Sequence, residues 1–194
     1  MIKPKPIIFL DMDQVLADFD KAAAELFGVD IKRVNEIRTA DDWDLCPLLG
    51  RLTGGEVTKE MLQDEVTACG DKFWEDLEPM PWANQLVQIV EEYSSKWIAL
   101  SGPMFCHTSH SGKIKWLRNH IHPTFDEFIL TGNKHLLAAP GRILIDDKPS
   151  AVRRFVGYGG ISILFPSYGN SNRDVLLEEG DPLEYVEGWL KSFC

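Results

Sequence analysis

Ile7-Ile8-Phe9-Leu10-Asp11-Met12-Asp13-Gln14-Val15-Leu16-Ala17-Asp18-Phe19 decides how this chain is read. Four apolar residues run straight into two carboxylates one residue apart. A buried strand that ends on paired acids puts charge at the carboxyl edge of a sheet, where open α/β sheets bind their ligands. Side chains alternate along a strand, so in a regular strand Asp11 and Asp13 share a face and Met12 turns away. Two such acids can hold a hard cation, or divide nucleophilic and acid/base work. Alone, the pair reads equally as a strand end entering a turn, since Asp is common there. The downstream sequence decides between the two.

Strand and helix patterns alternate along the 194 residues, as in a parallel sheet covered by helices. Ile7–Leu10 is the first expected strand. Trp97–Leu100 is the second, ending at Ser101-Gly102-Pro103. Phe128–Leu130 is the third, Ile143–Ile145 the fourth, running into Asp146-Asp147, and Ile161–Phe165 the fifth. Helical spacing covers Val15–Phe27, stopped by Gly28, then a short helix capped by Asp30, then Glu56–Cys69, Pro79–Ser94, His110–His120, Ala151–Tyr158 and Leu183–Phe193. Thr39–Gly55, with Trp43, Pro47 and three glycines, reads as turns. About eighty residues separate the first two strands, far more than one crossover helix needs. We therefore expect a core of residues 1–18 and 77–194 with a small helical cap, residues 19–76, inserted after the first strand.

Composition excludes several classes. The chain is 44% hydrophobic and 26% charged, ordinary for a globular protein, with a formal net charge of −10. An acidic surface repels polyphosphate backbones, so duplex nucleic acid is not an expected partner. The four cysteines, Cys46, Cys69, Cys106 and Cys194, are scattered and form no Cys-x-x-Cys, which fits free thiols in a reducing compartment. No segment has signal-peptide form or membrane-spanning length, so a cytoplasmic protein without a membrane partner is expected.

Parallel strands bring Asp11 and Asp13, Ser101, Lys134 (from the loop before the fourth strand), and Asp146 and Asp147 to one edge. Four acids, a hydroxyl and an ammonium describe a magnesium phosphotransfer site. Magnesium takes oxygen ligands and keeps several waters beside one or two carboxylates. Phosphoryl transfer needs an in-line nucleophile, a proton donor for the leaving oxygen, and cations for the equatorial oxygens. Other motifs do not hold up. Ser111-Gly112-Lys113-Ile114 lacks the Ser/Thr and upstream Gly of a phosphate loop, and Ser101 lacks the Gly two residues before it that a serine-hydrolase elbow requires. The five histidines lack the further ligands of a zinc site.

The ordered motifs resemble the haloacid dehalogenase-like (HAD) hydrolase superfamily and, more narrowly, its 5′(3′)-deoxyribonucleotidase family. The matching segments are Asp-Met-Asp-Gln-Val-Leu-Ala-Asp-Phe (11–19), Asp-Leu-Glu-Pro-Met-Pro (76–81), Ile-Leu-Thr-Gly-Asn-Lys (129–134) and Ile-Leu-Ile-Asp-Asp-Lys (143–148). The resemblance implies a magnesium-dependent phosphatase that cleaves (deoxy)nucleoside monophosphates through an aspartyl-phosphate. In it Asp11 is the nucleophile and Asp13 the proton shuttle. Ser101 and Gly102 hold phosphate, and Lys134 offsets charge. Asp11, the Asp13 carbonyl, Asp146 and Asp147 hold the metal. Lys113 either assists with phosphate or is solvated. The family sandwiches a base between cap aromatics, which points to Phe19, Trp43, Phe73 and Trp74; the competing reading is that these fill a small helical core. Gln14 stands where the family often has Gly. The resemblance also allows a homodimer. A phosphatase of sugar phosphates, or a non-catalytic nucleotide-binding module, are the alternatives on the same fold.

Overall fold

A computed structural model describes residues 4–178 and 180–193. Strand β1 (Ile7–Leu10) is followed by α1 (Phe19–Leu26), α2 (Ile31–Ile37), α3 (Leu45–Thr53), α4 (Lys59–Cys69), α5 (Asp71–Glu75) and α6 (Ala83–Tyr93). Then come β2 (Lys96–Ser101), α7 (His107–His120), β3 (Phe128–Leu130), a 3₁₀ turn (Lys134–Leu137), β4 (Arg142–Asp146), α8 (Pro149–Gly157), β5 (Ile161–Leu164), α9 (Asp174–Leu177) and α10 (Pro182–Phe193). The strands form one parallel sheet in the order β3-β2-β1-β4-β5. This is the expected Rossmann-like α/β architecture.

Both faces of the sheet are covered, as parallel sheets require. Ile8 and Leu10 point into the larger core with Ile143, Ile145 and Trp116. Phe9 points the other way, against Leu100, Leu144 and Phe155. This period-two division follows from strand geometry. It leaves the carboxyl ends of β1, β2 and β4 side by side, with β1 central.

Beyond the short, unexpected α5 and α9, three stretches differ from the sequence-based expectation, each for a local reason. The helix expected from Val15 begins instead at Phe19. Residues 12–18 curl into a tight turn in which the Leu16 and Ala17 amides both donate to the Met12 carbonyl. That turn pairs with residues 78–80 through Asp18 N to Glu78 O and Met80 N to Leu16 O, 2.8 Å each. The same pairing delays the Pro79 helix to Ala83. Thr39–Gly55 is a turn only in its first part. Asp44 caps α3 by accepting from the Cys46 amide, Pro47 sits in the first turn where its missing N–H costs nothing, and Gly54 closes the helix at φ 76°. The residues that resemble a loop are the start and stop signals of a helix.

Gly28 (φ 67°) ends α1, and Asp30 caps α2 through the Lys32 amide, both as expected. Cys46, Cys69 and Cys106 are free thiols; Cys194 lies outside the described residues. Among the described residues no helix is long and apolar enough to cross a membrane.

Candidate active site

The segments leaving β1, β2 and β4 and the 3₁₀ turn converge on two linked chains of charge. In the first, the Lys134 ammonium lies 2.6 Å from Asp11 Oδ1 and 2.7 Å from Asp146 Oδ2. In the second, Lys113 Nζ lies 2.5 Å from Asp13 Oδ2, 2.8 Å from Ser101 Oγ and 3.2 Å from the Gly102 carbonyl. Lys113 is fully buried on α7, so its charge is committed to this site and not to solvent. Asp13 Oδ1 is buried without a hydrogen-bond partner.

Asp11, Asp146 and Asp147 bring carboxylate oxygens within 4.8 Å of one another, and all three are buried. At that spacing each like-charged pair costs about 3 kcal/mol at an effective dielectric of about 20. Lys134 supplies one positive charge against these three carboxylates. Local hydrogen bonds fix them in place: the Met12 amide donates to Asp11 Oδ1, the Lys148 amide to Asp146 Oδ1, and Trp43 Nε1 to Asp147 Oδ2 at 3.0 Å. Converging oxygen donors with uncompensated charge suit a hard divalent cation.

The same crowding shifts the acids. Burial, with Asp11 adding repulsion, pushes Asp146 up to about 6 against the pull of Lys134. Burial and the neighbouring Asp146 charge hold Asp147 well above the usual carboxylate range. Asp13 is also raised, by burial first, with Lys113 opposing. Burial works against the Lys134 ammonium, but Asp11 and Asp146 outweigh it and its pKa rises.

These groups border a cavity of about 510 Å³. Of the residues singled out from sequence, Asp11, Asp13, Phe19, Trp43, Trp74, Gly102, Lys134 and Asp147 line it, while Ser101, Lys113 and Asp146 stand just behind. Phe73, expected among the base-stacking residues, is instead packed behind the wall. It is buried and meets Phe19 and Trp74 edge-on. Trp74 is 1% exposed. It stacks on Phe19 at 5.6 Å, with Lys113 Nζ 4.8 Å from its ring centre. Its neighbours make it a wall, and Phe19, half-buried, stands in the lining beside it.

Other residues here escape sequence reasoning. Phe105, 96% exposed, and Met104 extend the apolar lining on the loop after β2. Their place directly after Ser101-Gly102 was a usable signal. Arg38 and Asp20 form a buried ion pair at 2.6 Å in the cavity wall. They are distant in sequence, and nothing in either segment announces the pairing. Asn170 is fully buried and donates to the Asp147 carbonyl at 2.8 Å.

A family model described as 5′ nucleotidase, deoxy (pyrimidine), cytosolic type C protein (NT5C) matches residues 5–177. No curated protein sequence matches the chain. The fold is similar to that of a HAD-family hydrolase from Deinococcus radiodurans R1 with bound phosphate and sodium, at 12% identity and TM-score 0.57, covering 91% of this chain and 88% of that one. A haloacid dehalogenase-like hydrolase from Streptococcus pneumoniae aligns at 17% identity and TM-score 0.56, over 95% and 98% of the two chains. A HAD hydrolase from Bacillus subtilis bound to magnesium aligns at 14% identity and TM-score 0.50, over 82% and 86%. These structural likenesses establish a shared HAD-like fold.

Proposed function

Because the chain belongs to the 5′ nucleotidase, deoxy (pyrimidine), cytosolic type C family, we propose that this phosphatase hydrolyses deoxynucleoside monophosphates with magnesium as cofactor. The observation that carries this reading is the pairing of Asp11 with Lys134 beside the pairing of Asp13 with Lys113 and Ser101. It offers a nucleophile, a proton shuttle and two cations at one sheet edge.

In the proposed reaction an Asp11 oxygen attacks phosphorus in line with the ester bond, which breaks as the aspartyl-phosphate forms. Asp13, whose pKa burial raises against the pull of Lys113, gives a proton to the leaving nucleoside oxygen. The resulting Asp13 carboxylate then takes a proton from water. That water oxygen attacks phosphorus, the bond to Asp11 breaks, and phosphate leaves. Lys134 holds Asp11 in position, and Lys113 and Ser101 place positive charge and a hydroxyl beside Asp13, where phosphate oxygens would lie. Asp11, Asp146, Asp147 and the Asp13 carbonyl would hold Mg²⁺, which supplies neutralising charge to a carboxylate cluster that otherwise repels a phosphate dianion. Residues 19–76 act as a cap that reads the nucleoside, with Phe19 against the base.

Phosphate release from deoxynucleotides, ribonucleotides and sugar phosphates with MgCl₂ tests the reading. Deoxynucleotides should turn over fastest, and Asp11→Asn should lose about 10³-fold or more in kcat while remaining folded. Equal turnover of sugar phosphates would refute the substrate assignment, and full activity in Asp11→Asn the covalent route.

A further inference from the structure

Asp147 is gripped at both ends. Asn170 donates to its carbonyl at 2.8 Å, and Trp43 Nε1 donates to its Oδ2 at 3.0 Å. The second contact crosses 104 residues of sequence, joining the turn between α2 and α3 to the end of β4. An indole N–H can only donate. It can therefore fix the orientation of a carboxylate without competing as a metal ligand, and it leaves the second carboxylate oxygen for a cation.

The ring also meets a cation. Lys148 Nζ lies 4.1 Å from its centre, a cation–π distance, and the Lys148 amide donates to Asp146 Oδ1 at 2.9 Å. Lys148 thus steadies one carboxylate directly and the other through Trp43. Gly169 lets the loop after β5 approach the backbone of the turn that carries Trp43. A Cβ there would meet the Asp42 carbonyl at 2.6 Å and Trp43 Cα at 3.0 Å. Arg173 NH1 donates to the Arg38 carbonyl at 2.6 Å and ties the same two segments together. The turn that carries the indole is thus fixed against the loop after β5 as well as against Asp147.

We propose that Trp43 is a positioning residue for the metal centre: its indole N–H orients the Asp147 carboxylate toward the cation, and this contact sets magnesium affinity. The assignment rests on the magnesium centre described under the proposed function. Hydrogen-bond partners of metal ligands typically contribute 10- to 100-fold in affinity.

Trp43→Phe keeps an aromatic ring for Lys148 and for any base, and removes the N–H donor with the larger outline of the indole. Calorimetric titration of the full chain with MgCl₂ should show the dissociation constant rising about 10- to 100-fold in Trp43→Phe. Gly169→Ala, which displaces the turn without touching a carboxylate, should shift it in the same direction, and decides the matter if Trp43→Phe does not fold. In ¹H–¹⁵N spectra of the wild type, which holds six tryptophans, the indole resonance missing from Trp43→Phe should move on adding Mg²⁺. Wild-type magnesium affinity in Trp43→Phe, or an indole resonance indifferent to Mg²⁺, overturns the assignment while leaving the metal centre intact. Failure of the wild type to bind Mg²⁺ overturns the metal centre itself, and this role with it.

Discussion

Gln14 shows how a single residue tunes the site without entering the chemistry. Its φ of 61° is the one left-handed backbone among non-glycine described residues, a conformation costing roughly 1–2 kcal/mol for a side chain with a Cβ. The Gln14 amide donates to the Ala17 carbonyl at 2.8 Å, and its Nε2 to Asp18 Oδ1, the oxygen that also caps α1. The departure from Gly therefore sits at a position that favours Gly, and the side chain partly offsets the strain by joining the cap. Lys113 carries a sharper prediction. Its charge and hydrogen bond lower the Asp13 pKa against the upward push of burial. Removing it in Lys113→Met should raise that pKa further, so Asp13 keeps its proton to higher pH. We expect kcat to fall about 10²-fold and the alkaline limb of its pH profile to move to higher pH; a limb that moves lower would contradict Asp13 as the acid. At this scale the acids and Lys134 were legible because each lies within three residues of a strand end or follows a recognisable turn. The structural commitment of Lys113 was not, because a lysine on a polar helix reads the same whether its tip meets water or Asp13.

At the scale of elements, the close approach of α5 to α7 matters most. Gly112 makes it possible: a Cβ there would meet Trp74 Cβ at 2.4 Å and the Asp71 carbonyl at 2.8 Å. Lys113 is the next residue, so this contact also sets how far the lysine reaches into the site. Gly112→Ala should cost about 1–3 kcal/mol by overpacking, measured by urea unfolding, and should raise KM through displaced Trp74 and Phe19. Retained stability would mean that α5 slides freely. Element existence was largely readable, since strands and helices alternate with clear apolar periods. The exceptions have a common cause. In 12–18 and 78–80 two loop segments hydrogen-bond to each other, and that pairing overrides the helical spacing of their apolar residues. In α3 the capping residues Asp44, Pro47 and Gly54 carry the same composition as a turn. Short α5 and α9 have no period long enough to detect.

For the whole molecule, three buried acids held against mutual repulsion make stability a function of cation. Mg²⁺ at 100 times its dissociation constant should stabilise by about 2.7 kcal/mol, raising Tm by about 5–10 °C for a chain this size, and EDTA should reverse it. No shift on adding Mg²⁺ would count against the cluster as a cation site. The parallel sheet was implied by the alternation of elements, whereas its strand order, the crossing from Trp43 to Asp147 and the Asn170 support were not, because sequence separation hides which segments meet. One consequence follows from β1 lying at the centre of the sheet, bonded on one side to β2 and on the other to β4, with the Asp11 amide itself bonded to the Ile145 carbonyl at 2.9 Å. Amide protons of Ile8 through Asp11 can exchange with deuterium only when the sheet opens as a unit, so they report global unfolding. The proposed nucleophile, Asp11, anchored to this slowest-opening part of the chain, would stay fixed while substrate comes and goes.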